Sequence, residues 1–138
     1  MTKQLWLNLP VKDVGKSKSF FTQIGFSLHP RHSGDEAAGL LIGESNAIVM
    51  LFPEATFRTF TGNEIADTKQ GTEVLLSIDA ESREEVDEIV RKAAAAGGTV
   101  YSEPGDRGGW MYGAGFADLD GHRWNVLYMD MSKMPKEG

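Results

Sequence analysis

No cysteine occurs in this chain of 138 residues, which excludes disulfides, thiolate metal sites and a cysteine nucleophile. No apolar run approaches the roughly 18 residues that a membrane-spanning helix needs. Basic residues are scarce as well: 14 Lys and Arg stand against 20 Asp and Glu, for a formal charge of −6. No cluster breaks that average. Nucleic acids are bound through basic surfaces, so neither a nucleic-acid nor a membrane partner is expected. The start, Met1-Thr2-Lys3-Gln4, lacks the apolar stretch of a signal peptide, and a cytoplasmic location is the expectation. What remains is ordinary for a globular protein, 41% hydrophobic and 25% charged, at a length that buries a real core.

What is present is a repeat of pattern rather than of identity. Leu5, Leu7, Leu9 and Val11 alternate with Trp6, Asn8 and Pro10 over residues 4–11, the period of a half-buried strand. A helix follows, with Asp13 as N-cap, Val14, Phe20, Phe21 and Ile24 at helical spacing, and Gly25 at its end. Residues 26–31, 37–43 and 46–53 read as three short strands, the last two joined by a turn over 43–46. About 70 residues after the first strand the order recurs. A strand spans 72–79, and Ser82 with Glu85 forms a capping box for a helix striped by Val86, Ile89, Val90 and Ala93. Strands at 99–102, 111–118 and 123–130 complete the second copy. Residues 104–109 read as a glycine-rich loop.

The expectation is an α+β fold in a single domain of paired βαβββ modules, covering residues 1–138. Module one spans about 4–53 and module two about 72–130. A linker at 54–71, without convincing period but with Phe57 and Phe60, joins them, and 131–138 form a polar tail. A pseudo-symmetric pair of this kind keeps its function in the cleft between the copies.

The runs Asn8-Leu9-Pro10-Val11-Lys12-Asp13, Ser17-Lys18-Ser19-Phe20-Phe21, Gly25-Phe26 and Asp118-Leu119-Asp120-Gly121-His122-Arg123-Trp124 resemble the vicinal oxygen chelate superfamily. That superfamily includes glyoxalase I, bleomycin-resistance proteins and extradiol dioxygenases. Met111-Tyr112-Gly113 with Phe116 is similar to a glyoxalase-like bacterial subgroup. The resemblance covers residues 4–130 and implies the paired βαβββ fold, a homodimer, and a metal held by four side chains. One ligand would come from the first and one from the last strand of each module. The positions it points to are Trp6, Met50, Glu73 and Asn125, the last where relatives commonly carry Glu. An indole N–H only donates, so this set holds one anionic donor and one weak carbonyl. Zn²⁺, Ni²⁺, Fe²⁺ and Mn²⁺ need three or more N, O or S donors in a fixed array. The expectation is therefore no metal and no other cofactor.

Glu73 is the candidate catalytic residue, as a general base; an acid at a strand start is equally read as paired or solvated. Asn8 and Asn125, on the cleft face by alternation, are candidates to orient a polar ligand, or to bond each other or backbone. Trp6, Met50, Phe52, Trp110 and Tyr112 are the candidate aromatic and apolar lining for a flat ligand, although strand Met and aromatic residues are also ordinary core. His29 and His32 have HxxH spacing, which on a strand sends the rings to opposite faces and reads as an exposed pair. His122 serves a turn. Ser17 and Ser19 show no His and Asp partners, and the glycines after Pro104 do not make a phosphate-binding loop.

The function expected is binding of a small organic molecule in an aromatic-lined, metal-free cleft, after the bleomycin-resistance pattern. The alternative is a glyoxalase-like lyase, isomerase or dioxygenase. It would use a metal through further ligands, or Glu73 as base with an asparagine polarising a carbonyl. A third reading fills the cleft with Trp6 and Met50 and leaves a dimer scaffold.

Overall fold

Both long helices start where local chemistry dictates. Asp13 is extended (φ −142°, ψ 105°) and its carboxylate accepts the Lys16 N–H at 3.0 Å. Ser82 Oγ accepts the Glu85 N–H at 3.0 Å, while the Glu85 carboxylate takes the Glu81 N–H, one residue before the cap, at 3.4 Å. The computed structural model describes residues 1–30, 34, 36–44 and 47–135. Its elements are β1 (Trp6–Val11), α1 (Val14–Gln23), β2 (Ser27–Leu28), β3 (Ala38–Ile42), β4 (Ala47–Pro53), α2 (Glu54–Thr61), β5 (Leu75–Asp79), α3 (Arg83–Ala95), β6 (Thr99–Arg107), β7 (Met111–Ala117) and β8 (Arg123–Met129). A 3₁₀ turn follows at Met131–Lys133.

The chain forms two compact units, Met1–Gly71 and Thr72–Gly138. The first holds a sheet of order β1-β4-β3-β2 and the second a sheet of order β5-β8-β7-β6. In each, the first strand runs parallel to the last, and the other neighbours are antiparallel. That is the βαβββ module twice, the architecture the repeat implies. The pairing registers also correspond. Asn8 lies opposite Met50, and Ser77 lies opposite Asn125.

One face of each sheet is closed by its helix. In the first unit Leu9, Val11, Leu40, Val49 and Leu51 are buried with Phe20 and Phe21 of α1. Those two rings meet edge to face at 5.0 Å, and Phe21 stacks on Phe26 at 5.7 Å. In the second unit Leu76, Ala114, Phe116, Trp124 and Val126 are buried with Val86, Val90 and Ala93 of α3. Phe116 and Trp124 stack with centroids 6.3 Å apart. No helix among the described residues is long and apolar enough to cross a membrane.

Three expectations are corrected. Residues 54–61 are a helix rather than linker: Glu54 sits in its first turn, Gly62 closes it in the left-handed region (φ 65°), and Phe60 meets Phe52 edge-on at 5.0 Å. With only Phe57 and Phe60 to mark an apolar side, the segment shows too little period to read. The strand expected at 99–102 runs on to Arg107, with register shifts between Val100 and Ser102 and between Ser102 and Gly105. β6 is an edge strand, which is where Pro104 and such irregularities are tolerated. Finally, β5 begins at Leu75 and not at 72, which leaves Glu73 outside it. His32 and the end of the turn over 43–46 lie outside the described residues.

Candidate functional site

The helix-free face of the second unit is built by strand alternation on two glycines. β7 presents Ala114 and Phe116 toward α3, so Gly113 and Gly115 fall on the opposite side. Neither brings a side chain, and two planar groups from β6 lie down on the bare backbone. The Tyr101 ring covers Gly115, where an added Cβ would meet its hydroxyl oxygen at 2.6 Å. The Arg107 guanidinium covers Gly113, its Cζ 3.2 Å from where a Cβ would stand. At Gly113 a Cβ would stand nearer still to Leu127 Cδ2, at 2.6 Å, so both positions call for glycine.

A row of short polar side chains crosses this face. Ser77 on β5 pairs in register with Asn125 on β8, Asn125 with Gly115, and Gly115 with Ser102 on β6. Arg107 reaches over the row. Its Nη1 donates to Asn125 Oδ1 at 3.4 Å and its Nη2 to Ser102 Oγ at 3.0 Å. Asn125 in turn donates from Nδ2 to Ser77 Oγ at 3.4 Å. The Tyr101 hydroxyl donates to the Trp124 carbonyl at 3.3 Å, and the Arg123 guanidinium stacks on the Tyr101 ring at 4.3 Å. Burial pushes the Tyr101 phenol above its ordinary value, while the charges of Arg123 and Arg107 pull it back.

A methyl group at position 115 has no room while Tyr101 stays in place. Gly115→Ala is expected to force the ring off the sheet, break its bond to the Trp124 carbonyl, and destabilise by about 1–3 kcal/mol. A fall in urea midpoint at unchanged slope measures this, and an unchanged midpoint would mean that Tyr101 is not held.

The face of the first unit away from α1 is largely apolar, and Phe60 of α2 covers its Phe52 end. Trp6, Asn8 and Pro10 on β1 lie beside Ile48, Met50 and Phe52 on β4. Trp6 and Asn8 are exposed, Phe52 is half-buried under Phe60, and Met50 is buried, opposite Gly39 of β3.

The sequence candidates thus separate. Trp6, Asn8, Met50 and Phe52 share the first unit's open face. Asn125 is the hub of the second unit's. Tyr112 lies on the other side of β7, toward α3: its hydroxyl donates to Asp87 Oδ1 at 2.6 Å, and the Arg83 guanidinium is 5.3 Å from its ring centroid. The Asp87 bond, with some loss of solvent, raises the Tyr112 pKa. Trp110 sits in the β6–β7 hairpin, half-buried, its indole against Gly108 and its carbonyl accepting the Asp130 N–H at 2.7 Å. Glu73 is exposed, four residues before Ser77, the partner of Asn125; Trp6 is two before Asn8, the partner of Met50. The counterpart of Trp6 in the second unit is therefore Leu75, and the acid on that face of β5 is Asp79. His29 gives its backbone N–H to Gly39 at the end of β2.

Arg107, Tyr101, Ser77, Ser102 and Arg123 were not among the sequence candidates. The signal that could have found them is Gly113-x-Gly115 inside a strand, two side-chain-free positions on one face, which invites large flat neighbours.

The donor set does not fit a divalent metal. Trp6 and Met50 bring no anionic or nitrogen donor, and the Asn125 oxygen is turned to a guanidinium. A fixed positive charge there opposes a second cation. Among the described residues no three His, Cys, Asp or Glu side chains gather as a metal would need. The surface can instead present N–H donors and positive charge.

The model of the Glyoxalase/Bleomycin resistance protein/Dioxygenase superfamily matches residues 3–126. Among solved structures, a hypothetical protein from S. aureus is 34% identical with a TM-score of 0.82, over 93% of this chain and 94% of that one. A glyoxalase/bleomycin resistance protein/dioxygenase family enzyme from Burkholderia phytofirmans is 20% identical with a TM-score of 0.75, over 90% and 96%. The fosfomycin resistance protein FosX from Listeria monocytogenes is 18% identical with a TM-score of 0.65, over 93% of each. No curated protein matches the chain.

Proposed function

Because the chain belongs to the glyoxalase/bleomycin resistance protein/dioxygenase superfamily, we propose that it binds a small organic molecule on an open sheet face. It does so without the divalent metal typical of the superfamily. The observation that carries this is the Arg107–Asn125 hydrogen bond: where relatives commonly place a carboxylate ligand, a neutral amide is held by a guanidinium. Trp6, Met50 and Phe52 on the first unit's face supply apolar area for a flat ligand. On each face one amide, Asn8 in the first unit and Asn125 in the second, is placed to orient a polar group.

Glu73 stands exposed ahead of β5, and no observation favours it as a base for lyase, isomerase or dioxygenase chemistry. We also place the protein in the cytoplasm and as a homodimer. The exposed apolar side chains of Leu5, Trp6 and Leu7, at and just before edge strand β1, support the homodimer.

The test is a screen of small organic compounds against the full chain, followed through backbone amide resonances. Saturable shifts on an open face, at Asn8 and Met50 or at Ser77 and Asn125, are expected. Shifts confined to α1 and α3, or none with any compound, would overturn the proposal.

A further inference from the structure

We propose that the ligand is an organic acid whose anionic group is received by Arg107, on the face that also carries Asn125 and Ser77. This rests on the small-molecule reading above and adds the class of molecule. The first reason is that the Arg107 charge is unanswered. Among the described residues neither Arg107 nor Arg123 has a carboxylate oxygen within 4.0 Å; the ion pairs found there join Arg91 and Lys92 to Glu88, and Lys133 to Asp130. Arg107 is half-buried, packed on Gly113, so its charge is not simply dissolved in water.

The second reason is donor count. A guanidinium has five N–H groups in one plane, and two of them are used, on Asn125 and Ser102. Three remain, more than the two parallel N–H groups that a two-oxygen contact with a carboxylate or phosphonate takes. Those two internal bonds fix the plane of the group, which a surface arginine would have to freeze at an entropic cost.

The third reason is the surrounding charge. Arg123, stacked on Tyr101, adds a second guanidinium to the same face. The nearest acid in register on that face, Asp79, is two strands from Gly113, with Leu127 between them. Two strand spacings amount to about 10 Å, near the screening length at physiological salt. A planar anion is thus attracted, oriented and left unopposed.

The experiment titrates the full chain with matched pairs: benzoate against benzamide, and phenylphosphonate against benzyl alcohol, with inorganic phosphate as the inorganic source of the same chemistry. Backbone and arginine side-chain resonances report binding, in wild type, Arg107→Gln and Arg107→Lys. The expected result is that benzoate or phenylphosphonate binds at least about tenfold tighter than its neutral partner, because a charge-assisted pair is lost with the charge. Arg107→Gln removes that preference and Arg107→Lys, which keeps the charge without the fork, restores part of it. Tighter binding of inorganic phosphate than of either organic acid would overturn the organic-acid assignment in favour of a free anion. Equal affinity for acids and neutral partners, or indifference to Arg107→Gln, would overturn the role of Arg107 and leave the small-molecule reading standing. Absence of saturable binding by every compound, charged and neutral, would overturn that reading itself.

Discussion

Asp118→Ala is expected to lower the unfolding free energy by about 3 kcal/mol, although residue 118 touches neither open face. The carboxylate is the acceptor that the β7–β8 turn is wound around. Its Oδ1 takes the backbone N–H groups of Asp120 and His122, each at 3.0 Å, and its Oδ2 takes the Trp124 indole N–H at 3.1 Å. Trp124 is fully buried against Phe116, so its N–H has no water to turn to. A buried donor stranded in this way costs about 1–3 kcal/mol, and two turn amides are loosened with it. Asp118→Asn keeps an oxygen for the amides but sets its NH₂ against the indole N–H, so it should lose about 1–2 kcal/mol.

Burial, the largest influence, holds the Asp118 carboxyl above its ordinary value, with His122 and the bonds from Trp124, Asp120 and His122 pulling the other way. An acid raised on folding takes up its proton in the native state first. Its contribution to stability is therefore complete below the unfolded pKa and is lost as pH rises through the folded one. Wild type should gain on Asp118→Asn as pH falls from about 7 to about 4, since the amide does not titrate. Urea midpoints of both proteins across that range measure it. A gap that narrows on acidification would mean that the carboxylate is stabilised as the anion.

Asn125→Glu is expected to weaken binding of benzoate about a hundredfold while leaving the fold intact. Position 125 is half-buried and its side chain already points at Arg107, so a carboxylate there would pair with the guanidinium. Such a pair occupies the donors meant for an outside acid and reverses the local charge. A loss of about 2–3 kcal/mol in binding is the corresponding scale. The same substitution supplies a single carboxylate, short of the three or more donor groups a divalent ion needs, so it should not create a metal site. Retention of benzoate affinity in Asn125→Glu would mean that the acid group is received elsewhere.

Local chemistry was legible in the sequence and pairing was not. Asp13 and Ser82 announce their helices because capping is settled within four residues. The apolar alternation of Leu9 and Val11 shows which side of β1 must be covered, and repeated order shows the two modules. Side choice on β7 is different. Tyr112 and Gly113 are adjacent, and only the antiparallel register that sets Gly115 opposite Asn125 shows that the odd positions share the face of Asn125. Tyr112 goes to α3 for that reason. Arg107 was hidden twice over, because it lies where glycine and proline suggest a loop, and because the irregular pairing after Val100 breaks the count along β6. Glu73 looked like a strand residue because Glu73 and Val74 continue the alternation of Leu75 to Asp79, yet the ladder with β8 starts at Leu75 and Arg123.

The most direct measurement is titration of Zn²⁺, Ni²⁺, Mn²⁺ and Fe²⁺ into chelator-treated protein, by calorimetry, with the metal content of the protein as purified. If Arg107 and Asn125 stand where relatives hold a metal, no ion binds tightly in stoichiometric amount and none copurifies. Stoichiometric tight binding that disappears in Glu73→Ala would contradict this, and would return the chain to the metal-dependent chemistry of its superfamily.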